Sequence, residues 1–144
     1  MEELARVVQE RTVILTWDPD NAAFWLVDEY FPEIGMIDRQ ICPPIEEFRR
    51  VLGRVEVHPL PIPHDCADGF LGAYWRRPHA YLDAGVRSAI STFSKLHDVT
   101  AGLARLRHDL EDGTWLRRHG RLMSQAEYDL GYRLVVAAHS PAPV

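Results

Sequence analysis

The sequence predicts an α/β fold, a small sheet of about three strands with helices inserted between them. Three observations predict it. Thr12-Val13-Ile14-Leu15-Thr16-Trp17 and Tyr132–Ala138 are continuous apolar, β-branched runs, the pattern of strands covered on both faces. Residues 54–61 alternate, with Val55 and Val57 and then Leu60 as the inward candidates, which marks a third strand. Residues 99–111 carry Val99, Leu103, Leu106 and Leu110 at spacings of four, three and four, an apolar stripe along a helix.

The remaining elements follow in order. Residues 2–9 place Leu4, Val7 and Val8 at helical spacing ahead of the first strand. Asp18-Pro19-Asp20-Asn21 ends that strand and can cap the next helix, over residues 22–30, with Pro32 interrupting it. Pro43-Pro44 opens a helix over residues 45–52, where proline is tolerated in the first turn, and Gly53 closes it. Pro59, Pro61 and Pro63 cannot donate to a ladder, so the second strand is short or at an edge. Helical segments are expected within residues 70–76 and 78–91. Asp98 can cap the helix at residues 99–111, and Gly113 ends it. A short amphipathic piece covers residues 115–119, and Ser124-Gln125-Ala126-Glu127 fits a capping box for one more turn. Residues 140–144 form a Pro/Ala-rich tail. The order implies three layers around a small sheet in a single domain, 1–144.

With 144 residues, 47% hydrophobic and 26% charged, the composition is that of an ordinary globular domain. The net charge of −5 argues against nucleic acid as a partner, which needs clustered Lys and Arg. The pairs Arg49 and Arg50, Arg76 and Arg77, and Arg117 and Arg118 are scattered among acids. No apolar run approaches the roughly 20 residues of a membrane span, so no membrane partner is expected. Cys42 and Cys66 form neither a disulfide framework nor a CxxC pair, which points to a reduced, cytoplasmic compartment.

Three pieces carry a family resemblance. Ala5-Arg6-Val7-Val8 with the strand at residues 12–17 and Asp18 resembles the helix and fifth strand of a class I S-adenosylmethionine-dependent methyltransferase. The Gly-Arg-Val-Glu-Val stretch at residues 53–57 resembles the sixth strand. Gly131 with Tyr132, Arg133, Leu134, Val135, Val136 and Ala137 resembles the seventh, which returns antiparallel between the other two. Phe24-Trp25-Leu26-Val27, Tyr30-Phe31-Pro32-Glu33, the stretch from His64 to Phe70 and Ala73-Tyr74-Trp75-Arg76-Arg77-Pro78 are similar to the type 11 methyltransferase-domain branch.

The resemblance implies a partial Rossmann-like methyltransferase sheet equivalent to the C-terminal half of the family's domain. It implies transfer of a methyl group to a small-molecule acceptor, with S-adenosylmethionine as cofactor. The family's Gly-rich turn and ribose-binding acid have no counterpart here. The nine glycines lie singly and no G-x-G occurs, so the chain alone is expected not to hold the cofactor, and no cofactor-binding residue is assigned. The first strand would then lack a neighbour on one edge. An open apolar edge invites pairing, so a homodimer or a partner chain supplying the N-terminal half is expected. The alternatives are a non-catalytic partner subunit or a small-molecule-binding module acting as a dimer.

His64, Asp65, Cys66 and Asp68 are the densest polar constellation. His64 with Asp65 or Asp68 can orient an acceptor or take its proton. The same residues equally form a turn in which the acids cap a helix start and Cys66 packs as a small apolar group. Adjacent residues rarely converge on one ion, and no metal site is assigned. Trp17 and Asp18 follow the end of the first strand, where open α/β sheets bind ligands; otherwise they pack and cap. Asp68 is a further candidate substrate contact, and Trp25, Tyr30, Phe70, Tyr74 and Trp75 either shape an apolar acceptor pocket, as the resemblance implies for the inserted helices, or are core.

Overall fold

The computed structural model describes residues 11–18, 20 and 23–138. The expected helix at residues 2–9, much of the cap at residues 18–21, the start of the helix at residue 22 and the tail at residues 140–144 lie outside the described residues.

Strand β1 (Arg11–Trp17) and strand β2 (Val55–Pro59) both pair with strand β5 (Tyr132–Ala138), giving the order β1-β5-β2. Both pairings are antiparallel, with Ile14 and Val57 each opposite Val135. The last strand thus sits in the middle, as the sequence reading has it. A second, two-stranded sheet joins β3 (Ile62–Pro63) to β4 (Glu127–Tyr128).

Alternation along the strands sets the two faces. Val135 and Ala137 of β5 pack with Ile14 and Val55 against Phe48 and Leu52, which lie on helix α2 (Ile45–Leu52). That helix ends on Gly53, whose φ of 76° is the left-handed region that glycine supplies without strain. The opposite face meets a larger helical body only at the Trp17 and Tyr132 end. Further along, Val13 and Leu15 stay 56% and 61% exposed, so the third layer is partial.

The helical body is built from short pieces around aromatic rings. A π-helical turn, Leu26–Tyr30, leads into helix α1 (Pro32–Ile41). The sequence reading takes Pro32 as a break; it stands instead at the first helical turn, where its missing N–H costs nothing. Residues 70–76 hold a 3₁₀ turn at Leu71–Tyr74 rather than an α-helix, and residues 78–91 divide into a 3₁₀ turn at Pro78–Leu82 and helix α3 (Ala84–Ala89). Asp83 caps α3 by accepting the Val86 N–H. Helix α4 (Thr100–Glu111) starts behind Asp98, which accepts the Thr100 N–H at 2.8 Å, and helix α5 (Thr114–His119) follows it.

The Ser124 capping box starts no helix. A 3₁₀ turn at Gly120–Ser124 comes first and the Ser124 hydroxyl donates back to Arg121 O. The chain then extends so that Tyr128 faces Ile62 across the small sheet.

The core is aromatic, and three of its rings donate hydrogen bonds to backbone carbonyls, whereas the buried Trp115 Nε1 has no partner among the described residues. Trp75, fully buried, donates from Nε1 to Ile62 O at 3.0 Å, and Trp25 donates to Trp75 O at 2.9 Å. Tyr81 donates to Leu71 O at 2.6 Å. Each ring thereby buries a large area and also fixes one strand or turn to another. No helix among the described residues is long and apolar enough to cross a membrane.

Candidate functional site

The site forms where β1 ends. Successive residues of a strand point to opposite faces, and Trp17 and Asp18 continue that rule. Asp18 N–H donates to Gly131 O at 2.8 Å, extending the ladder by one residue. Its carboxylate is buried, 3.8 Å from Arg133 Nε, and Arg133 also donates to Asp129 at 2.7 Å. Burial pushes the Asp129 carboxyl up, but the hydrogen bonds from Arg133 and Gly131 outweigh it and hold the group below its ordinary value. Asp18 and Arg133 line a cavity of about 390 Å³ on the α2 side.

Trp17 faces the other way. Its indole N–H donates to Leu130 O at 3.0 Å, which lays the ring across the chain entering β5. There it lines a cavity of about 450 Å³ with Phe24, Val27, Asp38, Cys42, Leu71 and Tyr132. A neighbouring cavity of about 560 Å³ is lined by Leu60, Ile62, Cys66, Asp68, Phe70 and Ser91. Leu71, Thr92 and Tyr132 belong to both walls, so the two are lobes of one groove against the end of the sheet. Phe70 meets Tyr132 edge to face, with ring centroids 5.4 Å apart.

The groove is apolar with a few polar groups aimed at it, the usual makeup of a small-molecule site. Burial pushes the Asp38 carboxyl up, and the Lys95 ammonium only partly offsets this. Burial likewise raises the Cys42 thiol, and Asp38 adds to the effect while the backbone at Trp17 opposes it. The Tyr132 phenol is raised well above its ordinary range by burial, with Asp38 and Cys42 contributing. The Cys42 thiol and Tyr132 phenol are therefore neutral near physiological pH.

The expected site residues divide. Trp17, Asp68 and Phe70 line the groove. Trp25, Tyr30 and Trp75 lie in the core. Tyr30 donates to Asp109 at 2.8 Å, and Arg118 joins Asp109 and Glu29 beside it. Tyr74 packs edge-on against Tyr81 and carries the Arg77 guanidinium over its ring at 4.8 Å. His64 and Asp65 are in the turn after β3, where His64 N–H donates to Ala126 O and Cys66 N–H to Pro63 O. Neither is among the residues that line the groove, although Cys66 and Asp68 of the same turn are.

Asp38, Cys42, Thr92 and Tyr132 are absent from the sequence-derived set. A signal for the first two was present. Gly35, Asp38 and Cys42 recur at three and four, the spacing of one helix face, but only once the helix is started at Pro32. Among the described residues no group of three or more His, Cys, Asp or Glu side chains is placed to hold a metal ion.

The structure is similar to the crystal structure of a protein from Anabaena variabilis ATCC 29413 described as a "putative methyltransferase from antibiotic biosynthesis pathway". The TM-score is 0.83 and the identity 36%, over 94% of this chain and 58% of that one. The α/β fold with its central antiparallel strand is thus a partial Rossmann-like methyltransferase fold. The chain spans less than two thirds of the length of that relative. No protein-family model and no curated protein matches the chain.

Proposed function

We propose that this chain is the C-terminal, acceptor-binding part of a class I S-adenosylmethionine-dependent methyltransferase unit of the type 11 kind, acting on a small molecule. The observation that carries the reading is the strand order β1-β5-β2, the last strand antiparallel between the other two, in a fold shared with the Anabaena protein at 36% identity. The groove at the end of β1 is the acceptor site, with Trp17, Phe70 and Asp68 contacting the acceptor. The free thiols of Cys42 and Cys66 suit a reducing, cytoplasmic compartment.

The residues present do not fit the methyl donor. Among the described residues the positive-φ glycines are Gly53, Gly113 and Gly131, and none of them joins a strand to a helix start beside the groove. A dinucleotide-type site needs such a turn so that backbone can approach the ligand. The donor-binding strands come from sequence outside these residues. They dock on the edge of β1 that is unpaired among the described residues and over the exposed Val13 and Leu15, where they complete the sheet.

Titration calorimetry with S-adenosylhomocysteine tests this. The chain alone gives no binding. A chimera in which it replaces the matched part of the Anabaena protein binds with the parent's affinity. Binding by the isolated chain sinks the division into halves, and a folded chimera without binding sinks the methyltransferase reading.

A further inference from the structure

The acceptor groove carries a charge preference that narrows its substrate class. In the lobe beneath Trp17 the titratable lining groups are Asp28, Asp38, Arg39 and Cys42, with Tyr132 on the shared wall. The second lobe adds Cys66 and Asp68. Three of these groups are carboxylates and one is a cation. Arg39 is exposed, as is Lys95, the other cation that Asp38 feels. Asp28 is already occupied, since its Oδ2 accepts the Phe24 N–H at 3.1 Å, and Asp68 accepts the Gly69 N–H at 2.9 Å. Asp38 differs from both: it sits half-buried among Phe24, Val27 and Leu130 on the cavity wall.

A carboxylate in such surroundings has lost hydration that its neighbours return only in part. The thiol and the phenol beside it are uncharged, and the exposed Lys95 ammonium offsets the loss incompletely. An entering cation restores the lost interaction, whereas an entering anion adds a second desolvated negative charge to the same chamber. Charge-assisted hydrogen bonds are roughly twice as strong as neutral ones, so the gain falls on ligands with an N⁺–H donor.

Resting on the reading of this groove as the acceptor site, we infer that its acceptor is an amine with an apolar or aromatic body, held by the Asp38 carboxylate at its nitrogen and by Trp17, Phe24 and Leu71 along its body. Acidic and phosphorylated acceptors are excluded by the same carboxylate.

The test needs no methyl donor, so its failure leaves the methyltransferase reading standing, and failure of that reading leaves only the preference of this groove for an amine ligand. 2-Phenylethylamine, 2-phenylethanol and phenylacetate, which share a ring and differ in charge, are titrated into the folded chain near neutral pH. The expected order is amine first, alcohol weaker by about tenfold or more, and no binding of phenylacetate. Asp38→Asn weakens the amine by at least about tenfold, the scale of one charge-assisted hydrogen bond, and leaves the alcohol unchanged; Asp65→Asn, off the groove, changes neither. Phenylacetate binding as tightly as the amine overturns the proposal. So does an amine affinity unaltered in Asp38→Asn, and so does the absence of amine binding by a chain with native circular dichroism.

Discussion

Replacing Gly102 by alanine sets two opposed effects against each other, and the structure decides between them. In a helix interior alanine is favoured over glycine by about 0.8–1.0 kcal/mol, and Gly102 lies within α4. Judged by propensity alone, G102A stabilises. A Cβ built at that position, however, stands 2.4 Å from Phe31 Cε1 and 2.6 Å from the Tyr30 carbonyl oxygen. Phe31 is 1% exposed and the carbonyl is backbone, so neither can swing aside. Overpacking of this kind costs about 1–3 kcal/mol and occasionally more. Contacts of 2.4 and 2.6 Å place the clash at the upper end of that range, so it exceeds the propensity gain and a net loss of about 2 kcal/mol is expected. With a urea m-value of about 1–3 kcal/mol/M, the unfolding midpoint falls by roughly 0.7–2 M. Gly120→Ala is the control. Its Cβ meets only the Leu116 side chain at 3.6 Å and beyond, so the midpoint holds or rises. A G102A chain as stable as the parent refutes the close approach of α4 to the π-helical turn at Leu26–Tyr30.

Three further outcomes are expected. Tyr30→Phe removes the donor to the buried Asp109 carboxylate and lowers stability by about 1.5–3 kcal/mol, read from urea midpoints. Asp38→Asn is more stable than the parent near pH 7. Burial raises the folded carboxyl above its unfolded value, so the stability this group contributes is present at low pH and lost as pH rises through the folded pKa. The advantage of Asn therefore vanishes below about pH 4, and midpoints at the two pH values measure it. Leu15→Lys places a charge on the exposed sheet face beside the edge of β1; it reduces self-association in light scattering and leaves the unfolding free energy within about 0.5 kcal/mol.

Sequence legibility followed how much of an element's fate is local. The strands of residues 12–17 and 132–138 declare themselves because, Arg133 apart, both faces of each are built of apolar or β-branched residues, and their order is the observed one. Pro32 misleads because one residue type both ends and begins helices; the start of α1 is decided by Ile34 reaching the core. Ser124 misleads because a capping box is only a local preference, overridden when Tyr128 pairs with Ile62 and stacks near Trp75. Residue type also cannot separate an aromatic that lines a groove from one that fills the core. Phe70 and Trp75 are five positions apart, yet Trp75 hydrogen-bonds into the interior while Phe70 meets the cavity. Asp38 is hidden for a different reason: its character comes from its place on a cavity wall shared with Phe24 and Leu130, which the sequence does not bring together.

The placement of β5 also constrains how the molecule is assembled in time. Among the described residues β1 and β2 do not pair; each is hydrogen-bonded to β5 alone within the main sheet. Arg11 finds its partner Ala138 only after nearly the whole of the chain between them has been made. Until residue 132 onward is available, the first two strands have no ladder among the described residues to join, and their apolar faces must wait on helices for cover. Such long-range closure slows folding and prolongs exposure of strand edges. A ribosome stalled before residue 132 would therefore hold two orphan strands, and loss of this one segment would dissolve the main sheet completely rather than shorten it.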